Sequence, residues 1–390
     1  MKALRKKIDK IKPHFQKGGR FSKLHSTFDA FETFLFVPSK VTSVGSHIRD
    51  SIDLKRTMSM VLIALMPALL FGMWNTGRIY YESVGIDSGF FQEFWFGFLK
   101  VLPIIIVSYV SGLGVEFIFA QIRGHEVNEG FLVSGMLIPL IMPADVPLWM
   151  VSVATIFAVI IGKEVFGGTG MNIFNPALLA RAFIFFSYPS KITGDFIWVP
   201  GLSKGGSEIV DGFTGATPMG MAAQNQFSNI PDLWSMFIGT IPGSIGETSK
   251  IAIIIGAVIL LFTGIASWRV MLSTIFGGVS MILIFNAIGA NQYMLISPVE
   301  QLCMGGFLFG AVFMATDPVT GAQTNTGKYI YGILIGMLAM IIRVLNPAYP
   351  EGMMLAILMM NMFAPLIDHF VVNANIKRRE KRAKLSNLSK

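Results

Sequence analysis

The chain has 390 residues, 53% of them hydrophobic and only 14% charged, and its mean hydropathy is +0.61. A soluble protein of this size carries about 25% charged residues, so a soluble multidomain reading is excluded. The net charge of +8 is concentrated at the ends, because residues 1–57 hold 13 of the 31 Lys/Arg and 377–390 hold 7.

Residues 1–56 contain no long apolar run. They read as a retained, basic cytoplasmic extension rather than a cleaved signal peptide. Apolar segments follow at 57–76, 94–118, 131–143, 147–163, 176–189, 251–268, 270–288, 298–315, 329–345 and 350–372. Runs near 20 residues match the hydrocarbon thickness, where helices satisfy every backbone group internally. The expected fold is an all-α integral membrane protein of about ten transmembrane helices. The segments at 131–143 and 176–189 are short, as broken or re-entrant helices are. Basic flanks mark the cytoplasmic side, so both termini are expected inside and the number of spans even. That places the polar, Gly-rich stretch 190–250 outside the membrane, as the one large loop. The expected domains are thus the extension 1–56, a first membrane repeat 57–189, the loop 190–250, a second repeat 251–372 and a basic tail 373–390.

The halves echo one another. Gly130-Phe131-Leu132 and Asp145 recur as Gly306-Phe307-Leu308 and Asp317, and Asn175-Pro176 as Asn346-Pro347, at offsets of 176, 172 and 171 residues. Five spans per half would make the repeats inverted, the plan of many transporters, with sites where helices break near the midplane. Those breaks are expected within Gly167–Pro176 and Thr316–Pro347. Chance likeness between Gly/Phe/Leu-rich helices is the alternative.

Several chemistries are excluded. The single Cys303 supplies neither a disulfide framework nor a self-contained iron–sulfur cluster, which takes about four thiolates. No pair among the five histidines lies mid-span, so a bis-histidine haem does not fit. There is no phosphate-binding G-x-x-x-x-G-K-[ST] loop. Basic residues are not interleaved with aromatics, so the charge is assigned to membrane lipid rather than nucleic acid. The 24 methionines lack a repeating ligand spacing and serve packing or lipid contact, leaving no metal site.

The outer loop holds Asp211-Gly212-Phe213-Thr214-Gly215-Ala216-Thr217-Pro218. Glycine between small hydroxyl residues lets a bulky phosphate approach the backbone, and a threonine hydroxyl can form a phosphoester. An ordinary Asp-Gly turn ending at proline is the alternative. The pattern Asp-x-x-[Ser/Thr]-Gly-[Ala/Thr]-Thr resembles the motif in which a flavin transferase esterifies FMN to the last threonine. The surrounding chain, from about 40 to 375, is similar to the B-subunit family of sodium-translocating NADH:quinone oxidoreductases. The matching stretches are Gly124–Gly130, Gly162–Gly170, Asn172–Phe183 and Ala315–Thr320. The homologous D subunit of Rnf complexes shares the flavinylation and Thr-Asp-Pro motifs but typically lacks so long a basic extension.

This resemblance implies a bacterial inner-membrane subunit of a six-subunit complex, partnered by subunits A, C, D, E and F. It implies covalent FMN on Thr217, with Asp211, Thr214, Gly215 and Ala216 completing the motif. Electrons would pass to a second flavin, riboflavin, and then to ubiquinone or menaquinone, coupled to export of Na+. The chain would be part of an enzyme and not a complete one.

For riboflavin, the matching positions are Asn172 and Asn175, which share a face if helical, with Gly168 and Gly170 allowing close backbone approach. Asn175-Pro176 also has the form of a helix start, a role compatible with binding. Ionisable residues at membrane depth are costly and therefore functional candidates: Glu116, Glu164, Arg181, Glu300, Asp317, Arg343 and Asp368. Among these, Glu116 and Asp368 match acidic positions linked to sodium in the family, and carboxylates suit a hard cation. Gly112 matches one residue of a glycine pair near the family's quinone pocket, the second being Leu113 here. Competing classes are the Rnf-type subunit of a ferredoxin:NAD oxidoreductase and a flavin-free secondary transporter.

Overall fold

The computed structural model describes residues 54–123, 130–201 apart from 193 and 196, 213–346 and 351–388, with 2–15 and scattered positions up to 48. Asp211, about half of 1–56 and most of the Gly124–Gly130 motif lie outside the described residues. Among the described residues every regular element is a helix.

Behind an amphipathic N-terminal helix α1 (Lys2–Ile11) come α2 (Leu54–Val84) and α3 (Phe90–Arg123), then α4 (Phe131–Leu140), α5 (Leu148–Gly162) and α6 (Pro176–Ser187). The outer segment contributes the short helices α7 (Pro218–Ala223) and α8 (Leu233–Ile238). The second half holds α9 (Lys250–Phe262), α10 (Trp268–Ile288), α11 (Pro298–Cys303) and α12 (Phe307–Phe309), with α12 running on through a π-helical turn, Gly310–Met314. It ends with α13 (Asn325–Leu345) and α14 (Met353–Leu388).

Six of these helices are long and apolar enough to cross a membrane: Leu54–Val84, Phe90–Arg123, Leu148–Phe166, Trp268–Ile288, Asn325–Leu345 and Met353–Leu385. They define a multi-pass membrane protein. The other apolar segments are shorter. At 1.5 Å per residue, the ten residues of α4 and twelve of α6 span about 15 and 18 Å of a core about 30 Å thick. The segment 251–268 yields only the 13 residues of α9. The segment 298–315 is interrupted at Met304–Gly306, where Gly305 has a φ of +58°.

Helices meet closely where glycine removes the side chain. A Cβ on Gly77 would lie 1.8 Å from the Glu93 carbonyl, and one on Gly97 would lie 1.7 Å from that of Met73, which fixes the α2–α3 crossing. Gly277 and Gly336 do the same for α10 and α13. Without a hydrophobic force between helices in lipid, such close approach drives their association. In the first half α3 packs on α5 and α5 on α6; in the second, α10 packs on α13 and α13 on α14. The halves join through α2 against α9 and α6 against α14, and one continuous apolar core runs through both.

Short helices expose polar backbone, and two buried arginines satisfy it. Arg181 on α6 donates to the Ile141 carbonyl just beyond α4. Arg343 on α13 donates to the carbonyls of Gln301 and, at 3.3 Å, Met304 beside the second break. The chain at 240–250 completes the first break, Gly246 N donating to Leu140 O at 2.7 Å and Ile245 N to Met142 O at 3.3 Å. Lys250 is buried with its Nζ on three carbonyls, Glu247 at 2.8 Å, Thr248 at 3.1 Å and Gly305 at 3.2 Å. Arg181 also binds Ser244 Oγ at 3.1 Å, pairs with Glu247 at 3.7 Å, and forms a close ion pair with Glu351.

Candidate functional site

A cleft open to solvent, with a cavity volume of about 110 Å³, lies between the two halves. Its lining mixes polar residues, among them Ser134, Lys163, Thr169, Asn172, Asn175, Thr316 and Asp317, with apolar ones such as Met58, Val61, Val133, Leu260, Ile265 and Phe313. It thus joins the sequence stretch Gly162–Phe183 to the Thr-Asp-Pro motif, about 140 residues away.

Asn175 links the halves directly. Its Oδ1 caps α6 by accepting from Ala177 N at 3.0 Å, and its Nδ2 donates to Asp317 Oδ2 at 3.1 Å. Asp317 Oδ1 accepts from Val319 N at 3.0 Å. Capping and site roles therefore coexist in one amide, which offers both donors and acceptors. The expectation that Asn172 and Asn175 share a helical face is corrected: α6 begins only at Pro176. A residue before proline is driven from the helical region, and Asn175 is extended at φ −68°, ψ 121°. Asn172 instead reaches the cleft from the irregular chain, its amide donating to Phe174 O at 3.2 Å. Gly168 and Gly170 have φ of +97° and +90°, in the region that glycine enters at little cost; this path carries the loop past the cleft mouth.

Thr217 caps α7, its Oγ1 accepting from Gly220 N at 3.0 Å. The side chain is half-buried, and as an acceptor there it keeps its O–H. Thr214 Oγ1 accepts from Ala216 N at 3.2 Å. Gly215 has no room for a side chain, since a Cβ would meet the Asp195 carbonyl at 2.2 Å, and Ala216 is buried. Phe213 packs with Val199 and Ile79 on the far end of α2, whereas Thr57 at its near end lines the cleft. The 22 residues between Thr57 and Ile79 rise about 33 Å, so the Thr217 segment and the cleft sit at opposite ends of α2. Met219 of α7 lies against Gly305 at the second break.

Of the remaining expected residues, Glu116 adjoins the cleft through Lys163, and the others do not line it. The ring of Phe131 fills the space beside Gly112, where a Cβ would be 1.9 Å from it, and Tyr109 meets that ring edge-on. Glu116 is buried in a close ion pair with Lys163. Glu164 is buried and pairs with Arg123 at 3.2 Å. Asp368 accepts from Gln323 N at 2.7 Å, Thr324 N at 3.0 Å and Thr324 Oγ1 at 2.6 Å, bracing the start of α13. Glu300 closes a capping box with Ser297. Sequence reasoning passed over Lys163 as an individual residue, and over Glu247, Lys250 and Glu351. The latter three flank apolar runs, where charge ordinarily signals a membrane surface.

A polytopic helical protein whose halves enclose a partly polar cleft is thus the class that fold and site define. The chain belongs to the NQR2, RnfD, RnfE family, whose model matches residues 41–377. It is 47% identical to the B subunit of the Na(+)-translocating NADH-quinone reductase of Pseudomonas aeruginosa, covering 96% of this chain and 98% of that one. The B subunits of the reductases of the same name from Ectopseudomonas mendocina and Chromohalobacter salexigens are 47% and 45% identical, over 95% and 97% of this chain and 97% and 96% of theirs.

Proposed function

We propose that the chain is the flavin-bearing B subunit of a sodium-pumping NADH:quinone oxidoreductase, working with subunits A, C, D, E and F in a bacterial inner membrane. Electrons would enter at FMN esterified to Thr217, pass through riboflavin and reduce quinone, coupled to Na+ export. Near-full-length similarity to proteins of that name supports this over an Rnf-type role. The cleft joining Asn172 and Asn175 to Asp317 carries the flavin reading.

The residues suit both groups. Thr217 presents a half-buried hydroxyl at the end of α2 away from the cleft. The cleft pairs amide and hydroxyl donors with apolar side chains, as a ring with a polar edge and apolar faces requires. A bound flavin supplies electron transfer in single or paired steps. The chain's part is to hold, orient and tune it: Asn172 and Asn175 address its polar edge, and Phe313, Leu260 and Val61 exclude water. The separation along α2 fits a protein that moves charge across a bilayer. Quinone is assigned to the neighbourhood of Gly112 by resemblance alone, since the Phe131 ring fills the space directly beside that glycine. The pairing of α3 with α5 in one half and of α10 with α13 in the other supports two related five-helix halves, which we take to be inverted, with both termini cytoplasmic.

Asn172→Leu tests the cleft, because its amide contributes little else to the fold. It is expected to lower riboflavin content of the purified complex at least several-fold while covalent FMN persists. Unchanged riboflavin would remove the cleft from the electron path.

Sodium is assigned to Glu116 and Asp368 by resemblance, and a hard cation there would share carboxylates that now hold Lys163 and the start of α13. Asp368→Asn should weaken sodium stimulation of quinone reduction more than it lowers riboflavin content. Sodium stimulation equal to wild type would end that assignment.

A further inference from the structure

We propose that Lys163 is the electrostatic control of the cleft, its charge divided between an electron-accepting ring there and the carboxylate of Glu116 behind the wall. The proposal rests on the reading that the cleft holds riboflavin.

Among the described residues lining the cleft, Lys163 is the one cation and Asp317 the one anion. The two differ in how they are matched. Asp317 is held by neutral donors, the Asn175 amide and the Val319 N–H. Lys163 is 4% exposed and bound to Glu116, also 4% exposed, which reaches it from α3. Each of these charges is costly alone in a low dielectric and is kept by its partner. The neighbouring carboxylate, Glu164, is itself matched by Arg123. Lys163 therefore has a strong anionic partner outside the cleft, while the residue itself lines the cleft.

Its position in the chain explains how it reaches both. Lys163 ends α5 with φ −129° and ψ −60°, outside helical geometry. The chain then turns through Glu164–Phe166 and the glycines at 167, 168 and 170, each at positive φ. That turn returns Thr169 and Asn172 to the same cleft. A lysine stem is long and flexible, with three donors at its end, so one ammonium can serve two acceptors.

Adding an electron to a ring in the cleft places negative charge opposite Lys163, which a nearby cation favours. Glu116 opposes this by holding the same cation. Removing the lysine charge should therefore lower the reduction potential of the cleft flavin, and removing the Glu116 charge should raise it.

The test uses the full complex purified in detergent. Riboflavin is quantified by chromatography, and its potential is read by spectroelectrochemical titration, for wild type, Lys163→Met, Lys163→Arg, Glu116→Gln and the Lys163→Met/Glu116→Gln double variant. A lowered potential in Lys163→Met, a raised one in Glu116→Gln and a near-wild-type one in Lys163→Arg are expected. Riboflavin retained throughout with unmoved potentials overturns the role of Lys163 and leaves the cleft reading intact. Riboflavin lost from Lys163→Met but kept in the double variant, at the wild-type potential, assigns the pair to folding and also overturns the role. Absence of riboflavin from the wild-type complex overturns the cleft reading itself.

Discussion

Thr217→Val is expected to abolish covalent FMN, read as loss of both in-gel fluorescence and the FMN-sized mass increase of the denatured chain. Valine matches threonine in shape but has no hydroxyl to esterify. The substitution also removes the α7 cap to Gly220 N, which costs about 1 kcal/mol, a small fraction of what holds a protein of six long helices. Thr217→Ser keeps both hydroxyl and cap and should retain covalent flavin. Thr214→Val is the second control: its hydroxyl accepts from Ala216 N but is not the residue the motif esterifies, so it should keep covalent flavin. Covalent flavin persisting in Thr217→Val, or lost only in Thr214→Val, would move the attachment site.

Arg181→Leu is expected to cause the largest loss of stability. The guanidinium satisfies the Ile141 carbonyl and compensates Glu247 and Glu351 together. Its removal takes the arginine counter-charge from buried Glu247 and half-buried Glu351 and one donor from the first helix break. Breaking a buried pair by deleting one side costs about 3–5 kcal/mol. The variant should assemble poorly and melt well below wild type in detergent, with partial recovery in Arg181→Leu/Glu351→Gln. A melting temperature equal to wild type would show that the cluster does not hold the break.

Much of the architecture was legible because the relevant signals are local. Runs such as Ile251–Phe262 and Tyr329–Ile342 carry their own length and hydropathy, and the segments at 131–143 and 176–189 were visibly too short to span. The cap at Asn175 was readable from the Asn-Pro pair alone. The link from Asn175 to Asp317 could be approached only through the internal repeat, which placed both near breaks without saying that they touch. The helical face expected for Asn172 and Asn175 failed because proline and positive-φ glycines outweigh spacing. Nothing local marked Lys163, Glu247 or Glu351: each acquires its partner from a helix or loop at least 47 residues away. A charge beside an apolar run looks the same in sequence whether it meets water or a buried counter-charge.

The hydrogen bonds that close the first helix break also impose an order on synthesis. Leu140 and Met142 receive their donors from Gly246 and Ile245, roughly a hundred residues later in the chain. At about 5–20 residues per second, the ribosome takes on the order of 5–20 s to deliver them. For that interval the first half sits in the bilayer with open carbonyls, sheltered by translocon, water or lipid headgroup. Its assembly therefore finishes with the start of α9 and not with the end of α6. A nascent chain arrested before residue 244 is accordingly expected to be a substrate for membrane quality control, even though all the helices of its first half have been made.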